Sequence, residues 1–272
     1  MATVEANFSA KDVMALRQKT GLGMMDCKKA LAACDGDKAA AEEWLRAKLK
    51  GKMEKRTERS AAEGRVTIAV DGSSAVIVEL RTETDFAARN DQFIATLDDI
   101  AKIAITLPAG PIAKNEQIDK LVDNLRITTG ENASFPRGEK IEGGAFGSYV
   151  HHNSQKAALM QIEGNADDEI LTGICMHIVA HVPTPVAVDE TGVPAETIDR
   201  IKTEALQEAK EAGKNDEIAV KIAEGKVRKH FQQTTLLNQM YVKDPSGKTS
   251  VKSILPEGVT IKRFVRYVVG ID

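Results

Sequence analysis

One order of elements occurs twice in this chain: strand, strand, helix. In the first set, residues 65–70 and 75–80 are runs rich in Val, Ile and Ala around Asp71-Gly72-Ser73-Ser74, a hairpin signal. A helical pattern over residues 91–107 follows, with Phe93, Ile94, Leu97, Ile100, Ile103 and Leu107 on one stripe and Pro108 and Pro111 as its stop. In the second set, residues 143–151 lead to a turn at Asn153-Ser154-Gln155, residues 157–163 return as a strand, and a helix over 168–181 closes at Pro183 and Pro185. A hairpin buries an apolar face only by packing against a helix or another sheet. The same order appearing twice is what an internal duplication would leave. Little residue identity joins them, so an internal duplication is read from order alone.

Three further segments flank these halves. Residues 8–50 read as three short helices. Ser9 is an N-cap with Asp12 as capping-box partner, and Thr20-Gly21-Leu22-Gly23 ends the first helix. Asp26 is expected to cap the second, which runs through Ala30, Leu31 and Cys34. The third starts at Lys38 and is expected to bury Ala41, Trp44, Leu45 and Leu49. A bundle this small is marginal alone and has the size of a docking module. Residues 51–63 are charged and read as a linker or exposed helix extension. The core then divides into a first half, 64–140, and a second half, 141–193, closed by 232–272 and a final strand around residues 262–269. Between them, 194–231 reads as a projecting antiparallel helical hairpin. Pro194 starts it, Gly213-Lys214-Asn215 breaks it, and narrow stripes of Ile198, Ile201, Ala205, Ala209 and Ala212, then Ile218, Ile222 and Val227, face each other.

Composition narrows the function classes. The chain of 272 residues is 42% hydrophobic but only 4% aromatic, so its core is mostly aliphatic. A net charge of −3 argues against bulk nucleic-acid binding, although Lys and Arg outnumber Glu between Arg46 and Arg59. That basic run is read as a solvated connector. Cys27, Cys34 and Cys175 form no CxxC and no disulfide framework, which suits reduced thiols. Nothing approaches a membrane span, and residues 1–7 lack the pattern of a signal or transit peptide, so a cytoplasmic protein is expected.

Catalytic signals fail one by one. Gly247-Lys248-Thr249 resembles the end of a phosphate loop, but Val242 stands where the leading Gly belongs, and a polar turn is expected. His177 and His181 share a helix face, yet Ile178 replaces the Glu of a metalloprotease and no third ligand can be placed. His151-His152 lacks a nucleophile in a sharp Gly-flanked turn. The pairs Asp98-Asp99 and Asp167-Asp168 fall where solvation explains them. No catalytic residue, metal or cofactor is therefore expected.

One run does stand out. Glu83-Thr84-Asp85-Phe86-Ala87 sits where the chain leaves a strand. Two readings stay open on the residues alone. Phe86 fills the core with Asp85 as the next helix's N-cap, or the pair forms an exposed apolar wedge with a charged tip.

Two segments carry a resemblance. Residues 17–31, Arg-Gln-Lys-Thr-Gly-Leu-Gly-Met-Met-Asp-Cys-Lys-Lys-Ala-Leu, and residues 79–91, Glu-Leu-Arg-Thr-Glu-Thr-Asp-Phe-Ala-Ala-Arg-Asn-Asp, are similar to the two signatures of the bacterial elongation factor Ts family. The second departs at Arg81, Thr82 and Ala87 and keeps the Thr-Asp-Phe core. Gly147-Ser148-Tyr149-Val150-His151 and Met176-His177-Ile178 also fit, and the resemblance spans essentially the whole chain. It implies a ubiquitin-associated-like helical module, two related α+β halves and a projecting helical hairpin. It implies a guanine-nucleotide exchange factor for elongation factor Tu in its GDP-bound and nucleotide-free states, with no direct nucleic-acid contact. By resemblance, Thr84, Asp85, Phe86 and Ala87 disturb the partner's magnesium site, Arg17, Met24 and Met25 meet its nucleotide-binding domain, and His151 is a core contact. On the residues alone, inter-helix packing for Met24 and Met25 and a solvated face for Arg17 remain equal alternatives. Some family members continue into a further helix that touches the partner, and with the chain stopping at Asp272 that contact is expected to be absent or reduced. The rival functions are an adaptor with a different target and a metal hydrolase built on His177 and His181.

Overall fold

The computed structural model describes residues 7–54, 58–113 and 115–271. The N-terminal module is α1 (Ala10–Thr20), α2 (Met24–Ala33) and α3 (Lys38–Glu54). The Ser9 hydroxyl accepts from the Asp12 N–H while the Asp12 carboxylate accepts from the Ser9 N–H at 2.9 Å, a complete capping box. Gly21, at φ 71°, ends α1 in the left-handed conformation that costs glycine little. Asp26 does not cap α2. The helix begins two residues earlier, with Gly23 at the N-cap position, and Asp26 lies in its first turn, where a carboxylate favours the helix dipole without supplying a cap bond. Val13, Leu16, Leu22, Cys27, Ala30, Leu31, Ala41 and Leu45 form the module's core. Trp44 is only partly buried, with the Lys48 ammonium 4.3 Å over its ring. The side chain of Leu49, and residues 55–57 of the charged segment, lie outside the described residues. Helix α3 runs on to Glu54, so 51–63 starts as a helix extension.

The core begins with β1 (Glu63–Asp71), β2 (Ser74–Thr82), α4 (Asp85–Ala88) and α5 (Asp91–Ala104). It continues with β3 (Gly110–Pro111), α6 (Glu116–Thr129) and β4 (Ala133–Glu142). These strands form an antiparallel sheet in the order β1-β2-β4-β3. The second half is β5 (Ala145–Val150), β6 (Lys156–Glu163), α7 (Asp168–Ala180) and, after the hairpin and a short α10 (Val251–Ile254), β7 (Thr260–Val268); its order is β5-β6-β7. Both halves obey one rule: a hairpin, a helix, then a third strand antiparallel to the second.

The recurrence seen in sequence is therefore real at the level of topology, but β4 was not visible there. It straddles the 140/141 boundary and extends the first half to Glu142. Its sequence carries Pro136 and no clean alternation. The β2–β4 register shifts between Glu79 and Arg81, passing from Arg137 to Ser134, so Pro136 sits at a bulge where no ladder N–H is required.

The strand faces explain the layers. On β2, Val76, Val78 and Leu80 meet α5 and α6 through Phe93, Leu97, Ile100, Ile118 and Leu125. The alternate residues Ala75 and Ile77 meet Ala157, Leu159, Val265 and Tyr267 of the other sheet. On β6, Ala158, Met160 and Ile162 meet α7 through Leu171, Ile174 and Ile178. The result is helix, sheet, sheet, helix. A strand buried on both faces reads as a nearly continuous apolar run, as residues 75–80 do with Glu79 the one exception.

The hairpin consists of α8 (Ala195–Glu211) and α9 (Asp216–Thr234), three residues longer than its expected end at 231. Its seam is Ala205, Ala209, Ala219, Ala223 and Val227; Ile218, expected in the stripe, is 44% exposed. Met240, Tyr241 and Val242 form no strand, and Met240 makes a single bridge to Ser250.

Candidate functional site

The chain leaves β2 at Thr82 and turns over Glu83 and Thr84. Thr84 is extended, and its hydroxyl accepts from the Ala87 N–H at 3.2 Å, capping the one-turn helix α4. Asp85, read in sequence as a possible cap, is instead the first residue of α4 and pairs with Arg89 at 3.0 Å. Ala88 closes over the core, whereas Phe86 is 80% exposed. A core position for Phe86 is thereby excluded in the unbound chain. Burying a Phe side chain is worth about 1.5–3 kcal/mol, so this ring contributes almost nothing to folding.

The turn is held from beneath by residues that the sequence did not single out. The Glu131 carboxylate accepts from the Thr82 hydroxyl (3.0 Å), the Thr84 N–H (3.1 Å) and the Thr84 hydroxyl (2.8 Å). In return, Glu83 accepts from the Asn132 N–H at 2.6 Å and pairs with Arg59 at 3.3 Å, and the Asn132 side-chain amide donates to the Arg59 carbonyl at 2.7 Å. The available signal was Gly130, which ends α6 in the left-handed conformation and delivers Glu131-Asn132 as the link to β4. Nothing in one dimension pairs that link with residue 84.

His151 follows β5. Its Nδ1 lies 2.9 Å from the Tyr149 hydroxyl, and its ring packs 4.3 Å from that of His152. Next to it opens a polar cleft of about 350 Å³, with Asp85, Ala88 and Arg89 on one side, His152, Asn153 and Gln155 on the other, and Arg65 between. The structure thus brings the Asp85 turn and the loop after His151 to one cleft. Arg17, Met24 and Met25 do not line it. They are exposed on the module, Met24 by 48% and Met25 by 62%, so inter-helix packing does not account for the methionines. The module's core extends onto Ile127 of α6, and Thr128 packs 3.4 Å from where a Cβ on Gly21 would lie. That last turn of α6 leads directly into Glu131. Met14, 48% exposed on α1, adds an apolar position that the signatures did not single out.

The rival chemistries have structural answers. His177 is fully buried and both ring nitrogens are engaged. Nδ1 accepts from the Val242 N–H at 3.1 Å, so Nε2 donates to Gln239 Oε1 at 2.9 Å. Burial pushes its pKa from 6.5 down to about 4. A ring so committed has no lone pair for a metal, and among the described residues no His, Cys, Asp or Glu group is arranged to hold one. In the loop at Gly247-Lys248-Thr249, the N–H groups of Ser246, Lys248 and Thr249 converge on the Asp244 carboxylate at 2.9, 3.0 and 2.8 Å. The chain's own carboxylate occupies the place of a phosphate, and bonding from Ser246 holds it well below the usual carboxylate range. Among the described residues no helix is long and apolar enough to cross a membrane.

The profile of the family described as Elongation factor TS matches residues 83–271. A protein named elongation factor Ts from Thiobacillus denitrificans is 40% identical over 97% of this chain and 93% of its own length. Those of Dechloromonas aromatica and Lacticaseibacillus casei are 38% and 39% identical, covering 99% and 97% of this chain and 92% and 93% of their own lengths. With the helical module, the paired α+β halves and the helical hairpin in place, the chain belongs to the elongation factor Ts family of translation elongation factors.

Proposed function

We propose that this protein is a guanine-nucleotide exchange factor, acting in the cytoplasm, that binds elongation factor Tu with GDP bound and promotes GDP release. It does no bond-making chemistry and needs no cofactor, and it makes no direct contact with nucleic acid. The observation that carries the reading is Phe86, an 80% exposed aromatic on a turn pinned to the core at its base. A nucleotide of this kind is held by main-chain amides and by a magnesium ion bridging its phosphates. Magnesium demands near-ideal octahedral geometry, so a small shift of the surrounding elements weakens the whole site. Phe86 enters between elements of the partner and shifts them, and Asp85 acts on polar groups at the edge of the ion. Thr84 and Ala87 shape the turn. Arg17, Met24, Met25 and His151 supply surrounding contacts, the methionines as adaptable apolar surface.

Coupling of this kind is reciprocal: the factor by which the protein weakens GDP is the factor by which GDP weakens the protein. Gel filtration with elongation factor Tu·GDP tests it. The expected result is a nucleotide-free complex that excess GDP dissolves. A complex that retains GDP would instead mark an adaptor, and no complex would refute the partnership.

A further inference from the structure

We propose that Glu131 is a positioning residue for the Phe86 wedge, acting through a reciprocal clasp with Glu83; the proposal rests on the exchange reading above. The two segments exchange main-chain bonds. Glu131 accepts the Thr84 N–H at 3.1 Å, and Glu83 accepts the Asn132 N–H at 2.6 Å. The Thr84 hydroxyl joins the clasp to the wedge. It gives its proton to Glu131 at 2.8 Å, which leaves a lone pair aimed at the Ala87 N–H at 3.2 Å. One hydroxyl orientation satisfies both bonds, so Glu131 selects the rotamer that caps α4.

That cap matters because α4 is only the four residues Asp85–Ala88. A single turn has only a short ladder, the Ala88 N–H to the Thr84 carbonyl and the Arg89 N–H to the Asp85 carbonyl, and its nucleation is unfavourable without outside support. Phe86 therefore takes its direction from the cap, and the cap takes its direction from Glu131. Thr82 and Asn132 are only 1% and 5% exposed, and Glu83, Thr84 and Glu131 are partly buried, so these residues set the wedge without being its tip. The clasp is also the continuation of α6, whose Ile127 packs on the docking module. A wedge that swings freely yields to the partner; a wedge that is pinned makes the partner yield. Loss of the clasp should then lower the rate of GDP release more than the affinity of the complex.

Two measurements test this together. In the first, GDP release from elongation factor Tu is followed at saturating protein. Glu131→Ala is expected to slow the saturated rate about tenfold, in line with losing bonds to a charged group, while half-saturation moves by less than about threefold. Glu131→Gln, which keeps one acceptor oxygen, should recover most of the rate. Adding Glu131→Ala to Phe86→Ala should cost little more than Phe86→Ala alone, because the two act as a unit. In the second, hydrogen exchange of the free protein should show amides of residues 84–89 exchanging about tenfold faster in Glu131→Ala, with α5 unchanged. The proposal is overturned if those amides keep their protection, or if Glu131→Ala matches the wild type in rate, or if its loss adds fully to that of Phe86→Ala. A wild type that releases no GDP would refute the exchange reading alone, and the amide measurement would still decide the clasp.

Discussion

Phe86 and Phe93 flank the same turn and have opposite fates. Phe93 is fully buried between α5 and the first sheet, whereas Phe86 is 80% exposed. Phe93→Ala should destabilise the fold by about 3–5 kcal/mol, the usual cost of emptying an aromatic site. Phe86→Ala should leave stability within about 0.5 kcal/mol, as surface substitutions do. Urea unfolding of the two variants separates them; equal losses would mean that Phe86 is a core residue after all. His177 makes a second residue-scale prediction. Its folded pKa of about 4 lies below the ordinary 6.5, so between those values the unfolded chain binds more protons than the fold. Stability is then fully present above pH 6.5 and falls as the pH drops toward 4, with a slope of at most about 1.4 kcal/mol for each pH unit crossed. A His177 ring signal that titrates near 6.5 by NMR would contradict this.

At the scale of elements, the helical hairpin is an appendage. Helices α8 and α9 pack on each other through a seam of alanines, and α9 continues into the 3-10 turn at Leu236–Asn238, while no other described element packs extensively on either. Replacing the outer part of the hairpin, residues 203–226, by a short Gly/Ser link should leave the cooperative unfolding of the core intact, as read by circular dichroism. Loss of the core transition would show that the hairpin is part of the folding unit.

The same scale shows what a sequence can disclose. Capping by Ser9, the Gly21 stop, the hairpin turn after Asp71 and the stripe on α5 are local, and local residues announce them. Strand β4 is not local in that sense. Its Pro136 is tolerated only because of a bulge created with β2, and only the paired strand reveals it. The same holds for the candidate site. Phe86 was legible as an anomaly, with its exposure left open, and the family resemblance marked the run as functional. Glu131 was illegible, because its donors Thr82 and Thr84 lie on a different element.

At the scale of the whole molecule, the two sheets pack on each other as one mount. Apolar residues of both halves interlock between them, and the fully buried Glu79 adds a polar tie. It accepts from Arg81 at 2.6 Å, Arg137 at 2.7 Å and the Gly270 N–H at 3.1 Å. Arg137 also stacks on Tyr267 at 4.2 Å and donates to the Val268 and Ile271 carbonyls. The end of the chain is thereby fastened across the first sheet. A buried carboxylate with two guanidiniums and a main-chain donor is well compensated, although its presence says more about geometry than about net stability. Such packing suits the proposed action by displacement, in which strain applied at the Phe86 turn would pass to the partner. If this mount drives a wedge into a nucleotide site, the effect must be visible in the release of fluorescent GDP from elongation factor Tu, followed by stopped flow. Wild-type protein should accelerate release by orders of magnitude, and Phe86→Ala, folded and equally stable, should lose most of that acceleration. Release that is unchanged by the wild type, or equally fast with Phe86→Ala, would contradict the wedge.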